Sequence, residues 1–73
     1  MNLKFNSGRF KSERKRKSIS QCTLAVMADT SERYVRDLEK GNKTNPSTEL
    51  VFRFSKALEV PMEDLMTELE GKS

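Results

Sequence analysis

The amino-acid sequence predicts an all-α fold of five short helices in one small domain. No segment alternates apolar and polar residues as a half-buried strand would. Apolar residues recur instead at helical spacing, as Leu24, Ala25 and Ala28 do. Serines precede several of these segments, and a serine at that position can accept a hydrogen bond from an unpaired backbone N–H group of a helix. The spacing and the serines together indicate helices.

Length and composition restrict the class of protein. The chain has 73 residues, of which 34% are apolar and 34% charged, so we expect one domain with a small core. One cysteine and no histidine exclude a disulfide framework within the chain and the usual zinc ligand sets. Because a glycine-rich phosphate loop is also absent from the sequence, we expect neither an enzyme nor a cofactor. The opening MNLKFNSGRF has no apolar run typical of a signal peptide or membrane span, so we expect a cytoplasmic protein.

The predicted elements follow one another along the chain with recognisable ends. Residues 1–7 are expected to form a flexible arm, residues 8–70 the domain and residues 71–73 a tail. Three serines are expected to cap the second, third and fourth helices, Gly41 to end the third helix, and Pro61 to open the fifth. The predicted helices span about residues 7–17, 21–28, 32–40, 48–58 and 61–69.

The second and third predicted helices are separated by about three residues, which is the spacing of a helix-turn-helix over about residues 21–40. Leu24 and Ala25 on the first of these helices are expected to face Val35 and Leu38 on the second. Asp29 lies where the turn needs a left-handed residue, a conformation that aspartate tolerates better than most side chains.

Four charged residues lie on the outward side of the third predicted helix: Glu32, Arg33, Arg36 and Asp37. An arginine can donate two hydrogen bonds to guanine O6 and N7, and a carboxylate can accept one from cytosine N4. The row therefore indicates a helix that reads base edges in the DNA major groove. The same residues also form two i,i+4 pairs of opposite charge, which would stabilise a helix by roughly 0.2–0.5 kcal/mol each without DNA. That alternative stays open at this point.

With further positions along the chain, these residues resemble the lambda-repressor-like family, the phage-repressor and Cro type of helix-turn-helix regulators also called the XRE family. The resemblance runs from about Phe10 to Met66 and implies a compact five-helix DNA-binding domain that usually binds double-stranded operator DNA as a symmetric dimer. The chain departs from the family pattern at Asp29, where glycine is usual, and at Ser55, where a small apolar residue is usual. The matching residues are Arg14, Ile19, Ser20, Gln21, Leu24, Ala25, Ser31, Val35, Leu38, Glu39, Gly41, Pro46, Ser47, Lys56, Ala57, Leu58, Val60, Asp64 and Leu65.

The resemblance also implies which residues contact DNA. The third helix would lie in the major groove with Glu32, Arg33 and Asp37 at the base edges and Arg36 beside them. The expected contacts to the phosphate backbone are Arg14, Gln21, Thr23, Tyr34, Lys40, Asn42, Lys43 and Thr44.

Some of these expected phosphate contacts have a second interpretation. Arg14 resembles the family arginine that pairs with a glutamate of the third helix, here Glu39, and that pair is expected to be mainly architectural. Tyr34 either contacts a phosphate or only covers Leu38 one turn along the helix. Lys43 is either a phosphate contact or a solvated loop residue.

Charge is unevenly distributed along the chain. Residues 1–45 contain eleven basic and five acidic residues, a net charge of +6, whereas residues 46–73 contain three basic and six acidic residues, a net charge of −3. This division is compatible with a basic surface that binds a polyanion. It is equally compatible with charged helix surfaces on both halves that only contact solvent. In the basic run KSERKRK, one or two of Lys11, Lys15, Arg16 and Lys17 are expected to touch phosphate.

The leading hypothesis is a sequence-specific transcriptional regulator, most simply a small repressor acting as a homodimer. Phe52, Met66 and Leu69 are the expected dimer interface, because they are apolar residues late in the chain beyond those a small core needs. The alternative hypothesis is a protein-interaction module of the same fold, such as an antitoxin or adaptor, which the acidic, methionine-containing second half of the chain motivates.

Overall fold

The computed structural model describes residues 3–68, which form four α-helices, one 3-10 helix and one two-stranded sheet. The longest helix has 11 residues, and no described helix is long and apolar enough to cross a membrane, which takes about 20 residues. In chain order the elements are β1 (Leu3–Phe5), α1 (Ser7–Arg16), α2 (Gln21–Met27), α3 (Glu32–Lys40), α4 (Thr48–Leu58), the 3-10 helix (Met62–Leu65) and β2 (Met66–Glu68).

Side chains cap the beginnings of all four α-helices. The predicted caps Ser20, Ser31 and Ser47 are confirmed, because each hydroxyl accepts the backbone N–H three residues along the chain, at N–O distances of 2.9 to 3.1 Å. Asn6 caps α1 in the same way, with its Oδ1 atom 2.9 Å from the backbone nitrogen of Arg9. Each such cap contributes about 1 kcal/mol to the stability of its helix.

The four α-helices also end alike, each followed by a residue with a left-handed backbone. These residues are Ser18, Asp29, Gly41 and Glu59, with φ angles of 60°, 59°, 86° and 60°. The next residue in each case donates its N–H group to the carbonyl five positions back, at distances of 2.9 to 3.4 Å. This Schellman pairing satisfies carbonyls that the helix end would leave unpaired. The predicted left-handed conformations of Asp29 and Gly41 are confirmed.

An aromatic stack forms the centre of the core. The ring of Phe10, which is fully buried, lies with its centroid 4.7 Å from that of Phe54 and 5.0 Å from that of Phe5. The stack therefore joins β1, α1 and α4, which are far apart in the sequence. The other fully buried large side chains are Leu24, Val35, Leu38, Leu58 and Leu65.

The prediction of a flexible arm over residues 1–7 is wrong for residues 3–7. Residues 3–5 pair with residues 66–68 as an antiparallel sheet, with Phe5 opposite Met66. Phe5 is 4% exposed, and the N–H group of Asn6 donates to the carbonyl of Leu65 at 2.8 Å. Burying the Phe5 ring against Phe10 offsets the entropy lost in ordering so short a strand. Residue 7 already belongs to α1.

The prediction of a fifth α-helix over residues 61–69, and with it a purely helical fold, is also wrong. Pro61 does open a helical turn, but the turn is a 3-10 helix of four residues, and Met66 begins β2. The apolar residues of this segment are too few to separate a helix from an extended strand by spacing. Pairing with β1, about sixty residues away in sequence, decides between the two.

The buried Phe5 ring gives a direct test of the sheet. We expect Phe5→Ala to lower the free energy of unfolding by about 3 kcal/mol, because it removes a buried ring and leaves a cavity beside Phe10. Leu3→Ala, at a residue 55% exposed on the same strand, is the matched control and should cost less than about 1 kcal/mol. Urea unfolding followed by circular dichroism measures both, and equal losses would contradict the role assigned to Phe5.

Candidate nucleic-acid interface

A tight turn joins α2 to α3 and sets the angle between them. After α2 ends, the N–H group of Thr30 donates to the carbonyl of Ala25 at 2.9 Å, and that of Asp29 donates to the carbonyl of Val26 at 3.2 Å. Ser31 then caps α3 immediately. The chain thus reverses without a flexible loop, and the predicted helix-turn-helix is confirmed.

One side of α3 is anchored in the core. Val35 and Leu38 are fully buried, as are Leu24 on α2 and, nearly, Ala25. The small side chain of Ala25 lets the two helices pack closely. With this face buried, α3 can present only its other face to a ligand.

The outward face of α3 carries the predicted base-reading residues. Glu32 and Arg33 are exposed, and Arg36 and Asp37 are half-buried. The predicted pair between Glu32 and Arg36 is present but long, at 3.7 Å. No ion pair joins Arg33 to Asp37, and Arg33 makes no ion pair with any of residues 3–67. Of the two ion pairs predicted within the row, only that between Glu32 and Arg36 is present. The Arg33 guanidinium is left exposed.

A buried carboxylate connects α3 to both preceding helices. Glu39 accepts from Arg14 Nε at 2.5 Å and from Arg14 Nη2 at 3.1 Å, and its side chain is 3% exposed. The Gln21 amide at the start of α2 donates to the same carboxylate at 3.0 Å. The predicted Arg14–Glu39 pair is confirmed, and one carboxylate links α1, α2 and α3.

The pKa of the Glu39 carboxyl lies below its ordinary value. Burial by itself would raise this pKa, but the hydrogen bonds from Arg14 and Gln21 and the nearby charges of Arg14 and Lys11 outweigh it. Glu39 is therefore ionised at neutral pH and pairs with the arginine as a charged group.

The predicted phosphate contacts on the first three helices differ in how far their side chains are already engaged within the protein. Arg14 also donates from Nη1 to the carbonyl of Ile19 at 2.7 Å, so all three guanidinium nitrogens bond within the protein. This favours the architectural role of Arg14, and its phosphate contact stays a prediction. Tyr34 is half-buried and packs against the core, as the covering interpretation predicts. Thr23 is exposed beside Gln21, with its hydroxyl 3.0 Å from that of Ser20.

The first residues of the loop after α3 use their backbone N–H groups within the protein. The N–H groups of Asn42 and Lys43 both donate to the carbonyl of Asp37, at 2.9 and 3.2 Å. This pairing holds the loop against the end of α3. The side chains remain available to a ligand, since the predicted contacts Lys40, Asn42, Lys43 and Thr44 are all exposed.

A second carboxylate, Glu13, is a structural residue that the sequence analysis missed. Its side chain is 7% exposed and accepts from Arg9 Nε at 2.7 Å and from Arg16 Nη2 at 2.7 Å. Hydrogen bonds from Arg9 and then Arg16 hold the pKa of Glu13 below its ordinary value. The i,i+4 and i,i+3 spacings of these residues were the signal that could have indicated the cluster.

In residues 3–67, no three cysteine, aspartate or glutamate side chains lie close enough together to hold a metal ion.

Residues 10–65 match the sequence model of the helix-turn-helix family. The chain belongs to the helix-turn-helix family. No curated protein is significantly similar to it in sequence.

Several solved structures of similar proteins share the fold. The biofilm master regulator SinR of Bacillus subtilis, solved in complex with DNA, is 32% identical over 82% of this chain and 98% of that chain, with a TM-score of 0.79. The restriction-modification controller protein C.AhdI of Aeromonas hydrophila is 29% identical over 81% and 88%, with a TM-score of 0.76. The P22 c2 repressor, in complex with a synthetic operator, is 27% identical over 81% and 88%, with a TM-score of 0.76.

The buried Glu39 carboxylate predicts a pH dependence of stability. Because its pKa is lowered by folding, the stability it supplies is present above the unfolded value of about 4.3 and is lost as pH falls through the lower folded value. We expect Glu39→Gln to lower the free energy of unfolding at pH 7 by about 2 kcal/mol and to flatten its decline below pH of about 4.

The matched control for this variant is Glu49→Gln, which breaks an exposed i,i+4 pair with Arg53. We expect it to change the free energy of unfolding at pH 7 by less than about 0.5 kcal/mol. Urea unfolding at a series of pH values measures these effects. An unchanged acid decline in Glu39→Gln would show that Glu39 does not carry it.

Proposed function

We propose that this helix-turn-helix protein is a sequence-specific regulator of transcription that inserts α3 into the major groove of operator DNA. The observation that carries the proposal is the exposed guanidinium of Arg33 in the first turn of a helix whose other face is fixed by Val35 and Leu38. A forked donor on a rigid helix is suited to guanine. DNA-bound SinR and P22 c2 repressor, which share the fold, support the proposal.

Within the row, each side chain has a distinct proposed role. Arg33 is the principal base reader and donates to guanine O6 and N7. Asp37, one turn further and without an ion pair to Arg33, accepts from cytosine N4. Glu32 and Arg36 pair weakly at 3.7 Å, so either can exchange its partner for a base.

The phosphate contacts that we propose form two groups. Gln21 and Thr23 at the start of α2 form one group. Around the end of α3 the group consists of Lys40, Asn42, Lys43 and Thr44, which contact phosphate through their side chains because the N–H groups of Asn42 and Lys43 are occupied. Arg14 bonds to Glu39 and Ile19, and Tyr34 packs against the core, so the phosphate contacts predicted for these two residues are secondary in this proposal.

We also propose that the regulator acts as a homodimer and, most simply, as a cytoplasmic repressor. One domain of this size covers little DNA, whereas two copies related by a two-fold axis reach half-sites about 34 Å apart. Phe52 is 47% exposed on α4, with the Lys56 ammonium 5.5 Å from its ring centroid. Met66 lines a groove of about 530 Å³ together with Leu3 and Met62. Leu69, the third predicted interface residue, lies outside the described residues.

A second candidate function is the docking of another protein, as in an antitoxin or adaptor. Val26 and Met27 favour it, because they are large apolar side chains exposed at 74% and 52% on α2. Purification of the protein with its native neighbours separates the two proposals. A stoichiometric protein partner without retained DNA would favour docking.

In vitro selection of bound double-stranded DNA tests the regulator most directly. We expect a two-fold symmetric site whose halves are centred about one helical turn, roughly 34 Å, apart. Recovery of such sites would support both the DNA partner and the dimer. Failure to enrich any sequence would contradict the proposal.

The distinct roles of base and phosphate residues predict distinct variant behaviour. We expect Arg33→Ala to weaken binding to the selected site by roughly 10- to 100-fold and to change binding to random DNA little, because it removes a base contact. The matched variant Lys43→Ala should weaken both DNAs similarly and reduce the log–log salt slope by about 0.9, because it removes a phosphate contact.

Fluorescence anisotropy over a series of salt concentrations measures both quantities for both variants. If Arg33→Ala weakens the selected and the random duplex equally, the base-reading role of Arg33 is wrong.

A further inference from the structure

Helix α1 divides its basic residues between two sides. At about 100° per residue, Lys11, Arg14 and Lys15 fall within an arc of about 100°. Arg14 points from this arc to Glu39 on α3. Arg9 and Arg16 fall on the opposite side of the helix, together with Glu13. The side that carries Lys11 and Lys15 is thus the side that borders α3.

The cations on the opposite side of α1, and Lys17 between the two sides, already have acidic partners. Glu13 accepts from both Arg9 and Arg16 at 2.7 Å. Arg9 also approaches Asp64 at 3.3 Å, which ties α1 to the 3-10 helix. Lys17 pairs with Glu59, after α4, at 2.5 Å. These ion pairs connect α1 to the rest of the domain, and the acidic partners partly neutralise the basic charges.

Lys11 and Lys15 differ from these residues in their partners and not in their exposure, since Arg9 and Arg16 are exposed as well. Neither lysine makes an ion pair with any of residues 3–67. Lys11 also lies close enough to Glu39 for its charge to help lower the pKa of that carboxyl, which places it beside α3. Two like charges at i,i+4 spacing destabilise a helix by roughly 0.2–0.5 kcal/mol, and an anion lying across them removes that repulsion.

We infer that Lys11 and Lys15 form a phosphate-binding row on α1 that extends the DNA contact surface beyond the helix-turn-helix. The row takes backbone phosphates of the duplex whose major groove receives α3, so the inference rests on the proposed DNA-binding function. Its two ammonium groups contact phosphates without regard to sequence. Of the five basic residues in the run KSERKRK, Lys11 and Lys15 bind DNA, whereas Arg14, Arg16 and Lys17 pair with acidic residues and stabilise the fold.

The salt dependence of DNA binding tests this division. The test variant is Lys11→Gln with Lys15→Gln, and the matched control is Arg16→Gln with Lys17→Gln, which removes the same charge at the end of the same helix. We expect the test variant to reduce the log–log salt slope by roughly 1.8, two contacts at about 0.9 each, on selected and random duplexes alike. The control should change the slope by less than about 0.5.

The outcomes separate this inference from the proposed function. Binding by the unaltered protein with an unchanged slope in the test variant would overturn the phosphate row and leave the regulator intact. Equal slope changes in test variant and control would indicate net charge alone and would also overturn it. If the unaltered protein bound no duplex, both proposals would fail. Circular dichroism at each salt concentration verifies that both variants are folded, since the control loses ion pairs that hold α1 in place.

Discussion

The buried ion pair between Arg14 and Glu39 is the interaction on which the rest of the structure depends. A carboxylate with 3% exposure is costly to bury unless it is paired and hydrogen-bonded, and here Arg14 and Gln21 donate to it from two different helices. The pair thereby fixes the position of α3 relative to α1 and α2. Because Glu39 lies on the same helix as the outward row of charged residues, the interaction that holds the core also holds the candidate DNA-reading surface.

The connections between helices add a second constraint, because they leave few degrees of freedom. Each of the four α-helices begins at a side-chain cap and is followed by a left-handed residue whose neighbour bonds back to the helix. Three of these residues are Ser18, Asp29 and Glu59, for which this conformation costs roughly 1–2 kcal/mol each. The Schellman hydrogen bonds and the packing of the core offset that cost. They also determine where each chain reversal must occur.

The acidic residues of the domain determine which basic residues are paired and which are left without a partner. Glu13 and Glu59 neutralise Arg9, Arg16 and Lys17 and use them to hold α1. Exposed cations that lack an ion pair in residues 3–67 include Lys11 and Lys15 on α1, Arg33 on α3 and Lys43 in the loop after it. A net charge of +3 is therefore a poor measure of the potential on any one face. The distribution of partners matters more than the count.

The sequence by itself determined the local features of this protein: the four α-helices, their serine caps, the left-handed Asp29 and Gly41, and the charged row on α3. Each of these depends on residues within about five positions of one another, which is the range over which caps, turns and helical spacing act. Only the tertiary structure decided that residues 3–5 pair with residues 66–68 and that Phe5 enters the core. The tertiary structure also decided which cations are paired, since Lys17 forms an ion pair with Glu59, 42 residues further along the chain. Contacts at such separations depend on how the whole chain closes, and no spacing rule encodes them.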